Sequence, residues 1–372
     1  FPFGGMENPR LSFITPTVIT GDKSLVSLIA HELAHSWSGN LVTNASWKDF
    51  WLNEGFTSYV ENRIVEAVFG AEQAAMENVV AQAALRDELA TLPAAQQVLA
   101  LAPFPGRDPE ESLTEVAYQK GAWFLHDLER RFGRETFDAF LRAWFDQHAF
   151  RSVTTDDFLA FLRRELLAKG PGKLTEAELA AWIAGPGIPE FAVPARSARL
   201  DAVDAARQAW VGRRAAAAEL DTRGWITQEW VHFLEGLPED IGADRLIELD
   251  AAFRLTGTAN GEIAQRWYPI TVRAGLFEAR PAMAQFLRKV GRRKLVLPTY
   301  EALAETPEGL AFARQVLQQA SAFYHPITRA SVQAALDAAA KLAAPGDGAP
   351  VDREPRRRAP AQADDPAAGA RN

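Results

Sequence analysis

The spacing of hydrophobic and polar residues changes along the chain and predicts different elements in different parts. Residues 1–20 predict a glycine-containing loop followed by a short strand from Leu11 to Ile19. From about Val116 onward, apolar residues recur at helical spacing in segments of helical length, separated by short turns. The pattern therefore predicts a mainly α fold with little β-structure.

Polar and turn residues predict where individual helices begin and end. Asp22 or Ser24 offers an N-cap for a helix that Gly39 can end. A second helix is expected from about Trp51 to Gly70. The segment 95–109 holds three prolines and a glycine and predicts a long loop, and residues 152–157 supply a capping signal for a helix that ends near position 168.

A run of glycine and proline divides the chain into two domains. Gly-Pro-Gly-Ile-Pro at 185–189 and Pro194 indicate a boundary. We expect a first domain over residues 1–184, a linker over 185–199 and an all-α domain over 200–344, with helices stacked as an array. Residues 345–372 are rich in Pro, Ala, Gly, Arg and Asp and are predicted to be disordered.

Composition restricts the classes of function. The 372 residues are 48% hydrophobic and 24% charged, with a net charge of −8, which argues against nucleic acid as a partner. No apolar run reaches the ~18 residues of a membrane span. The absence of cysteine excludes thiolate chemistry and agrees with a reducing compartment, so a cytoplasmic location is expected.

A short motif at 31–35 has the spacing of a metal site. In His31-Glu32-Leu33-Ala34-His35 the two histidines lie about 40° apart on one face of a helix. Both imidazoles can then reach one ion at ~2.0–2.1 Å, and Glu32 lies beside them, where it can act on a metal-bound water. Ile29 and Leu33 fall on the opposite face and are expected in the core.

A zinc site needs a third protein ligand, and Glu54 is the candidate. Glu54 follows His35 by nineteen residues on the next predicted helix, and Glu61 on the same face could orient a ligand histidine. Two imidazoles and a carboxylate favour Zn²⁺, one ion per chain. The alternative is a chance motif. Surface or packing roles are expected for the other histidines, His126, His148, His232 and His325.

The motifs together resemble the gluzincin aminopeptidases, whose exopeptidase motif is GxMEN. The segments that carry this resemblance are Gly4-Gly5-Met6-Glu7-Asn8, His31 to Trp37, Gly39 to Thr43 and Trp51 to Gly55. Further segments are similar to the leukotriene-A4 hydrolase branch, namely 116–121, 186–189, 291–294 and 325–328. The likeness extends from residue 1 to about residue 340.

The resemblance implies a thermolysin-like catalytic domain over residues 1–184, followed by the helical domain. It also implies an N-terminal β-domain, which this sequence lacks together with part of the catalytic domain's own β-structure. The chain begins with Phe1 and without an initiator methionine. We therefore expect a truncated catalytic domain whose missing β-domain is a partner, and export stays open because a leader would lie upstream.

The resemblance also assigns roles to residues outside the metal site. Glu32 would be the general base, and Tyr118 would donate a hydrogen bond to the oxyanion. Glu7 would bind the substrate's free α-ammonium, while Gly4 and Gly5 let the backbone pass close to the substrate. The alternatives are a packed helix aromatic for Tyr118 and an ordinary surface glutamate for Glu7.

The resemblance implies further substrate-binding residues. They are two basic residues, one acid and Met6, which belongs to the GxMEN motif. Arg292 and Lys294 would clamp the far carboxylate of a short peptide, although a solvated basic run is the alternative. Glu110 would influence the first side-chain pocket. Leu113 stands where the epoxide-hydrolysing member of the family has a second tyrosine, so peptidase activity is expected without leukotriene epoxide hydrolysis.

The expected function is that of a zinc-dependent aminopeptidase acting on short peptides. Two other functions remain open at this point. A thermolysin-type endopeptidase would use the same zinc site, and acetyl-blocked peptides would then be cleaved as well as free ones. An inactive fragment would use its helical domain only to bind other proteins.

Overall fold

The computed structural model describes residues 2–102 and 113–343. Within these ranges most residues are helical, and the mainly α fold with a helical C-terminal array is confirmed. The described helices and strands of the first half are β1 (Gly5–Met6), β2 (Phe13–Ile14), α1 (Ser27–Ala34), β3 (Val42–Asn44), α2 (Trp51–Phe69), α3 (Ala71–Leu89), α4 (Gly121–Phe132), α5 (Arg134–His148), β4 (Arg151–Val153), α6 (Thr155–Glu165) and α7 (Glu176–Ile183).

The second half of the described chain is helical. Its helices are α8 (Ala198–Val211), α9 (Thr227–Glu235), α10 (Ala243–Phe253), α11 (Gly261–Arg273), α12 (Arg280–Lys289), α13 (Arg293–Ala304), α14 (Pro307–Ala320) and α15 (Pro326–Ala343). Alternate helices pack together, α11 on α13, α13 on α15 and α12 on α14, which is the arrangement of a helical array. Among the described helices, none has the length and apolar character needed to cross a bilayer.

Several helix ends follow directly from the sequence. Thr154 caps α6, because its side chain accepts from the backbone N–H of Asp157 while the Asp157 carboxylate accepts from the backbone of Thr154. The predicted second helix is found as α2, which ends at Gly70 with a φ of +94°. A left-handed backbone of this kind favours glycine, so the helix stops there.

The first predicted strand is much shorter than expected. The interpretation of Leu11–Ile19 as a strand is wrong, because only Phe13–Ile14 pairs, antiparallel with β1. Pro16 begins a short 3₁₀ turn over Pro16–Val18, and the Thr15 hydroxyl accepts from the backbone of Thr17. The fixed φ of proline and this local hydrogen bond end the ladder after two residues.

The second pair of strands joins distant parts of the first domain. β3 follows the motif helix α1 and pairs in parallel with β4, with Val42 opposite Arg151. Next to it, Asp49 is buried and its Oδ1 accepts from both the backbone N and the hydroxyl of Thr155, each at 2.9 Å. The start of α2 is therefore anchored to the start of α6.

Two hydrophobic cores lie on either side of the linker. The first is rich in aromatic residues, among them Trp51, Phe56 and Trp144. The second fills the helical array and includes Met76 of α3, which is fully buried there. Helix α3 thus contributes to the cores of both halves and packs against α8 and α9. The linker between α7 and α8 spans 184–197, and the exact domain division at 185–199 stays a prediction.

Helix α1 differs from expectation in its length and in its outer face. It ends at Ala34 rather than at Gly39, and Asp22 caps the turn at Ser24 instead of the helix. Ile29 and Leu33 are exposed at 49% and 54%, so their predicted burial is wrong. The helix packs mainly against α2 and β1, so the described residues leave its far side open.

Candidate metal centre

The three predicted ligands converge at the contact of α1 and α2. Oε2 of Glu54 lies 3.2 Å from Nε2 of His31 and 3.4 Å from Nε2 of His35. Ligand atoms held about 2.0–2.1 Å from a tetrahedral zinc ion are separated by roughly 3.3 Å. The separations of these atoms therefore fit a zinc ion, and the donor set of two imidazoles and a carboxylate leaves a fourth position open.

The second nitrogen of each imidazole has a partner that orients the ring. Nδ1 of His31 lies 2.9 Å from Oε2 of Glu61, the residue that the sequence suggested for this position. Nδ1 of His35 lies 2.8 Å from the carbonyl oxygen of Ser38, and the Thr57 hydroxyl is 3.2 Å away. Both rings therefore direct Nε2 toward Glu54, as in other histidine metal sites.

Electrostatics keep Glu54 ionised. Its burial acts to raise the pKa of this carboxyl, but hydrogen bonds from His31 and His35 outweigh the burial and lower the pKa to about 2. Burial acts in the opposite direction on His31, where hydrogen bonds to Glu54 and Glu61 leave the pKa well above its usual value. The buried carboxylate is thus in the charge state that a cation ligand requires.

Two glycines allow the helices around Glu54 to approach closely. A Cβ on Gly55 would lie 2.8 Å from Cα of Gly121 and 3.1 Å from the carbonyl oxygen of Ala117. Helices α2 and α4 therefore cross with backbone against backbone. Because Glu54 precedes Gly55 and Tyr118 precedes Gly121, this contact fixes a predicted metal ligand relative to a predicted catalytic residue.

Glu32 lies in a pocket made by the glycine loop. Its side chain is buried, and its Oε2 atom has no hydrogen-bond partner among the described residues. A Cβ on Gly5 would meet the Glu32 carboxylate at 1.9 Å, so Gly5 makes room for this carboxylate. Burial raises the pKa of Glu32 to about 7, although the charges of His31 and His35 act against it.

Glu7 lies on the same side of the metal site as Glu32. One ligand atom from each of Glu7, Glu32 and His35 lies within 4.8 Å of the others. Glu7 is half-buried, and its neighbour Met6 is 41% exposed. The structure thus brings the GxMEN loop to the predicted metal centre, with a carboxylate that is not among the three zinc ligands.

Tyr118 lies in a π-helical turn next to the predicted metal ligands. The turn spans Val116–Lys120 and continues directly into α4. The ring of Tyr118 stacks on the His31 ring with a centroid distance of 6.0 Å. Burial, reinforced by the charge of Glu54, holds the pKa of Tyr118 well above its usual value. The phenol therefore keeps its proton near neutral pH, and such single-turn π-helices are frequent at functional sites.

Of the two basic residues predicted in the second domain, Arg292 reaches the glycine loop beside the metal site. Arg292 forms an ion pair with Glu262, with Nη1 3.2 Å from Oε1, and a Cβ on Gly4 would meet its Nη2 at 2.8 Å. Lys294 is exposed, and its charge lowers the pKa of Glu262. Glu262 is not among the site residues predicted from the sequence, although Asn260 before it is a recognisable N-cap. Glu110 lies outside the described residues.

The remaining histidines lie away from this centre. His232 Nε2 is 2.7 Å from Asp204, His148 Nδ1 is 2.8 Å from the carbonyl of Trp144, and the His126 ring packs at 4.8 Å on Tyr59. Within the described ranges, the groups of three acidic or histidine residues that could hold a cation are the two that share His35.

Comparison with known protein families gives two matches. Residues 1–177 match the Peptidase family M1 domain, and residues 225–336 match the Leukotriene A4 hydrolase, C-terminal domain. The first match includes the GxMEN loop and all three predicted zinc ligands. The second includes Arg292 and Lys294.

Individual relatives and solved structures agree with these matches. Leucine aminopeptidase 2 of Yarrowia lipolytica is 34% identical over 351 residues, which covers 88% of this chain and 54% of the relative. Aminopeptidase B of Mus musculus is 34% identical over 318 residues, covering 82% and 49%. The chain thus spans about half the length of these relatives.

A solved structure is similar over most of the fold. It is yeast LTA4 hydrolase in complex with bestatin, with a TM-score of 0.83 and 30% identity, covering 90% of this chain and 58% of that structure. The fold, the two domain matches and the relatives agree. The chain belongs to peptidase family M1, in the branch that carries a leukotriene A4 hydrolase C-terminal domain.

Proposed function

We propose that this chain is the metal-binding core of a zinc-dependent aminopeptidase that removes N-terminal residues from short peptides. The observation that carries the proposal is the convergence of His31, His35 and Glu54, with the carboxylates of Glu32 and Glu7 together on one side of the metal site. Relatives named leucine aminopeptidase and aminopeptidase B support the same activity.

His31, His35 and Glu54 would hold the ion, and Glu32 would move the proton. When bound, zinc supplies a Lewis acid that polarises the scissile carbonyl and acidifies the attacking water. Glu32 takes the proton from this water at its carboxylate and later gives it to the leaving amine. Burial acts to raise the pKa of this carboxyl and so makes it a stronger base than an exposed glutamate.

Glu7 would make the enzyme an exopeptidase. Its carboxylate lies within 4.8 Å of the ligand atoms of Glu32 and His35, so a positive α-amino group bound to it has its first peptide bond close to the base. A charge-assisted hydrogen bond to a fixed carboxylate gives both affinity and register. Substrates with a blocked amino terminus lose this contact.

Tyr118 would stabilise the oxyanion of the tetrahedral intermediate. Its phenol is half-buried beside His31, and burial keeps its pKa well above the usual value, so the group is present as a hydrogen-bond donor. Removing one such donor costs about 2.7–4 kcal/mol of transition-state stabilisation in comparable oxyanion sites. Tyr118→Phe should therefore lower kcat by about 100-fold or more.

Arg292 and Lys294 would bind the carboxylate at the far end of a short peptide. Arg292 lies against Gly4, and Gly5 lies against Glu32, so the guanidinium is close to the catalytic base. Since consecutive Cα atoms are about 3.8 Å apart, only a short peptide can place its first peptide bond at Glu32 and its terminal carboxylate at Arg292. Lipid epoxide hydrolysis is not part of the proposal, because Leu113 stands where the family's epoxide hydrolase has a tyrosine.

We also propose that a further β-rich domain of a longer protein packs beside α1. The chain spans about half the length of its relatives, and Ile29 and Leu33 on the outer face of α1 are exposed, as is Trp37 in the turn after it. Exposed apolar side chains in such a row indicate an interaction surface. The cytoplasmic location expected from the sequence stays a prediction, which fractionation of the host cells would test.

Metal content and hydrolysis of an aminoacyl reporter test the proposed activity. The chain should bind one zinc ion and release the reporter, and Glu32→Gln should abolish hydrolysis while zinc stays bound. Equal cleavage of acetyl-blocked and free peptides would favour an endopeptidase and overturn the role of Glu7. A zinc-loaded chain that cleaves neither would instead support a scaffold function for the helical domain.

A further inference from the structure

A buried hydrogen-bonded contact joins the two domains at the start of the metal helix. Ser24, in the turn before α1, has its hydroxyl 2.5 Å from the hydroxyl of Thr227, the first residue of α9. Gln228 donates from Nε2 to the carbonyl oxygen of Ser24 at 2.6 Å. All three residues are less than a tenth exposed. The C-terminal domain therefore holds the backbone that leads into the helix of His31 and His35.

The same contact continues to the helix that carries Glu262. Asn260 donates from Nδ2 to the Thr227 hydroxyl at 2.7 Å. Its Oδ1 accepts from the backbone N–H groups of Glu262 and Ile263, which caps α11. One asparagine side chain thus links Thr227 to the first turn of α11, and Ser24, Thr227 and Asn260 are called the polar bridge below.

Glu262 in turn holds Arg292. Its Oε1 accepts from Nη1 of Arg292 at 3.2 Å, and both side chains are only about one-seventh exposed. Arg266 pairs with the other carboxylate oxygen of Glu262 at 2.8 Å. On its opposite side the guanidinium of Arg292 lies against Gly4. Its orientation therefore depends on where the first turn of α11 lies.

We propose that Thr227 and Asn260 are positioning residues: the polar bridge sets the place of Arg292 relative to the metal helix and so fixes which peptide length is accepted. The inference rests on the proposed aminopeptidase function and on the clamp by Arg292. The argument is geometric. The bridge begins at the turn before the zinc ligands and ends at the capped helix that holds Arg292, so it connects the metal site with the clamp.

The alternative is that these contacts only stabilise the fold, as many buried hydrogen bonds do. A structural role lowers the amount of folded protein and affects all substrates equally. A positioning role changes the preference between a peptide with a free terminal carboxylate and the same peptide as an amide. The ratio of kcat/KM for trialanine to that for trialanine amide separates the two, since both peptides are cleaved by the same folded molecules.

Thr227→Val in the 372-residue chain is the first test. Valine keeps the shape of threonine and removes the hydroxyl that Ser24 and Asn260 share. We expect KM for trialanine to rise about 10-fold while the constants for the amide change less than about 2-fold, because a misaligned hydrogen bond to a charged group loses about 1.5 kcal/mol. The ratio should then fall about 10-fold. An unchanged ratio would overturn the inference.

Thr271→Val is the matched control. Thr271 is also fully buried in the C-terminal domain, and its hydroxyl donates to the carbonyl of Tyr268 at 2.8 Å, away from the bridge. This variant should lose comparable stability and keep the trialanine ratio of the wild type. An equal fall of the ratio in this variant would show a general effect of cavity or packing and would refute a specific role for the bridge.

Asn260→Asp is a second variant of the bridge. The carboxylate can still accept from the backbone of Glu262 and cap α11, but it cannot donate to Thr227. The ratio should fall as in Thr227→Val, and an unchanged ratio counts against the inference. A wild-type chain that cleaves neither peptide refutes the aminopeptidase proposal itself. One that cleaves both equally well shows no carboxylate clamp, which overturns the inference alone.

Discussion

Replacing Gly121 with alanine perturbs the crossing of α2 and α4 beside Glu54, the proposed metal ligand. The new Cβ would lie 2.8 Å from Cα of Gly55 and 3.5 Å from Cε3 of Trp51. The nearest atom belongs to a helix backbone, so it cannot move aside as a flexible side chain would. The two helices must separate by roughly 1 Å to reach ordinary van der Waals contact.

The size of the effect follows from two opposing contributions. Overpacking of a close contact costs about 1–3 kcal/mol. Alanine is better than glycine in a helix by about 1 kcal/mol, which offsets part of the cost. We therefore expect Gly121→Ala to lower the free energy of unfolding by about 0–2 kcal/mol. A displacement near 1 Å between Glu54 and Tyr118 should lower kcat/KM by about 100-fold.

Gly121→Ala is compared with the wild type by urea unfolding and by hydrolysis of an aminoacyl reporter, and zinc content is measured on the same samples. Gly242→Ala is the control, since its Cβ would meet nothing within 4 Å and its backbone is extended. It should change stability by less than about 1 kcal/mol and leave activity unchanged. If Gly121→Ala retains wild-type activity with a full complement of zinc, the claim that this crossing positions the site is wrong.

Three other predictions concern different parts of the chain. Lys120 is fully buried, and burial lowers its pKa to about 8, so the folded state binds fewer protons than the unfolded state between pH 8 and 10.5. The free energy of unfolding, measured in urea relative to Lys120→Met, should therefore rise by about 3 kcal/mol across that pH range. A difference between the two proteins that does not change with pH would contradict this prediction. Glu61→Gln should weaken zinc binding about 10-fold or more, measured by competition with a chelator, because Glu61 orients His31; unchanged affinity would show that it does not. Leu33→Lys should change the stability of this chain by less than about 0.5 kcal/mol, since Leu33 is exposed; a larger loss in a urea titration would mean that its side chain is covered.

The sequence predicted the metal centre because its geometry is local. His31 and His35 are one helical turn apart, and that spacing alone places both rings on one face. Glu54 and Glu61 are two turns apart on α2, so the ligand and the carboxylate near His31 Nδ1 also share a face. Helical periodicity decides such arrangements without knowledge of the rest of the fold.

Other features depend on packing between distant segments and could not be read from spacing. Periodicity showed that Leu33 lies opposite the histidines, but not whether any part of this chain covers that face. Ser24 and Thr227 are 203 positions apart, and no spacing in the sequence links them. The approach of Arg292 to Gly4 likewise requires that the two domains be docked. Sequence reasoning therefore predicted three zinc ligands, whose side chains converge in the structure, and missed the polar contacts that join the domains.

The anchor between Asp49 and Thr155 has a consequence for biosynthesis. Asp49 stands at the start of the helix that supplies Glu54, and its partner is encoded 106 positions later. At about 5–20 residues per second, a ribosome needs on the order of 5–20 s to make the intervening chain. Throughout that interval the nascent chain already contains His31 and His35, but the start of α2 still lacks the hydrogen bonds between Asp49 and Thr155. Maturation of the zinc site is therefore expected to follow emergence of α6 from the ribosome.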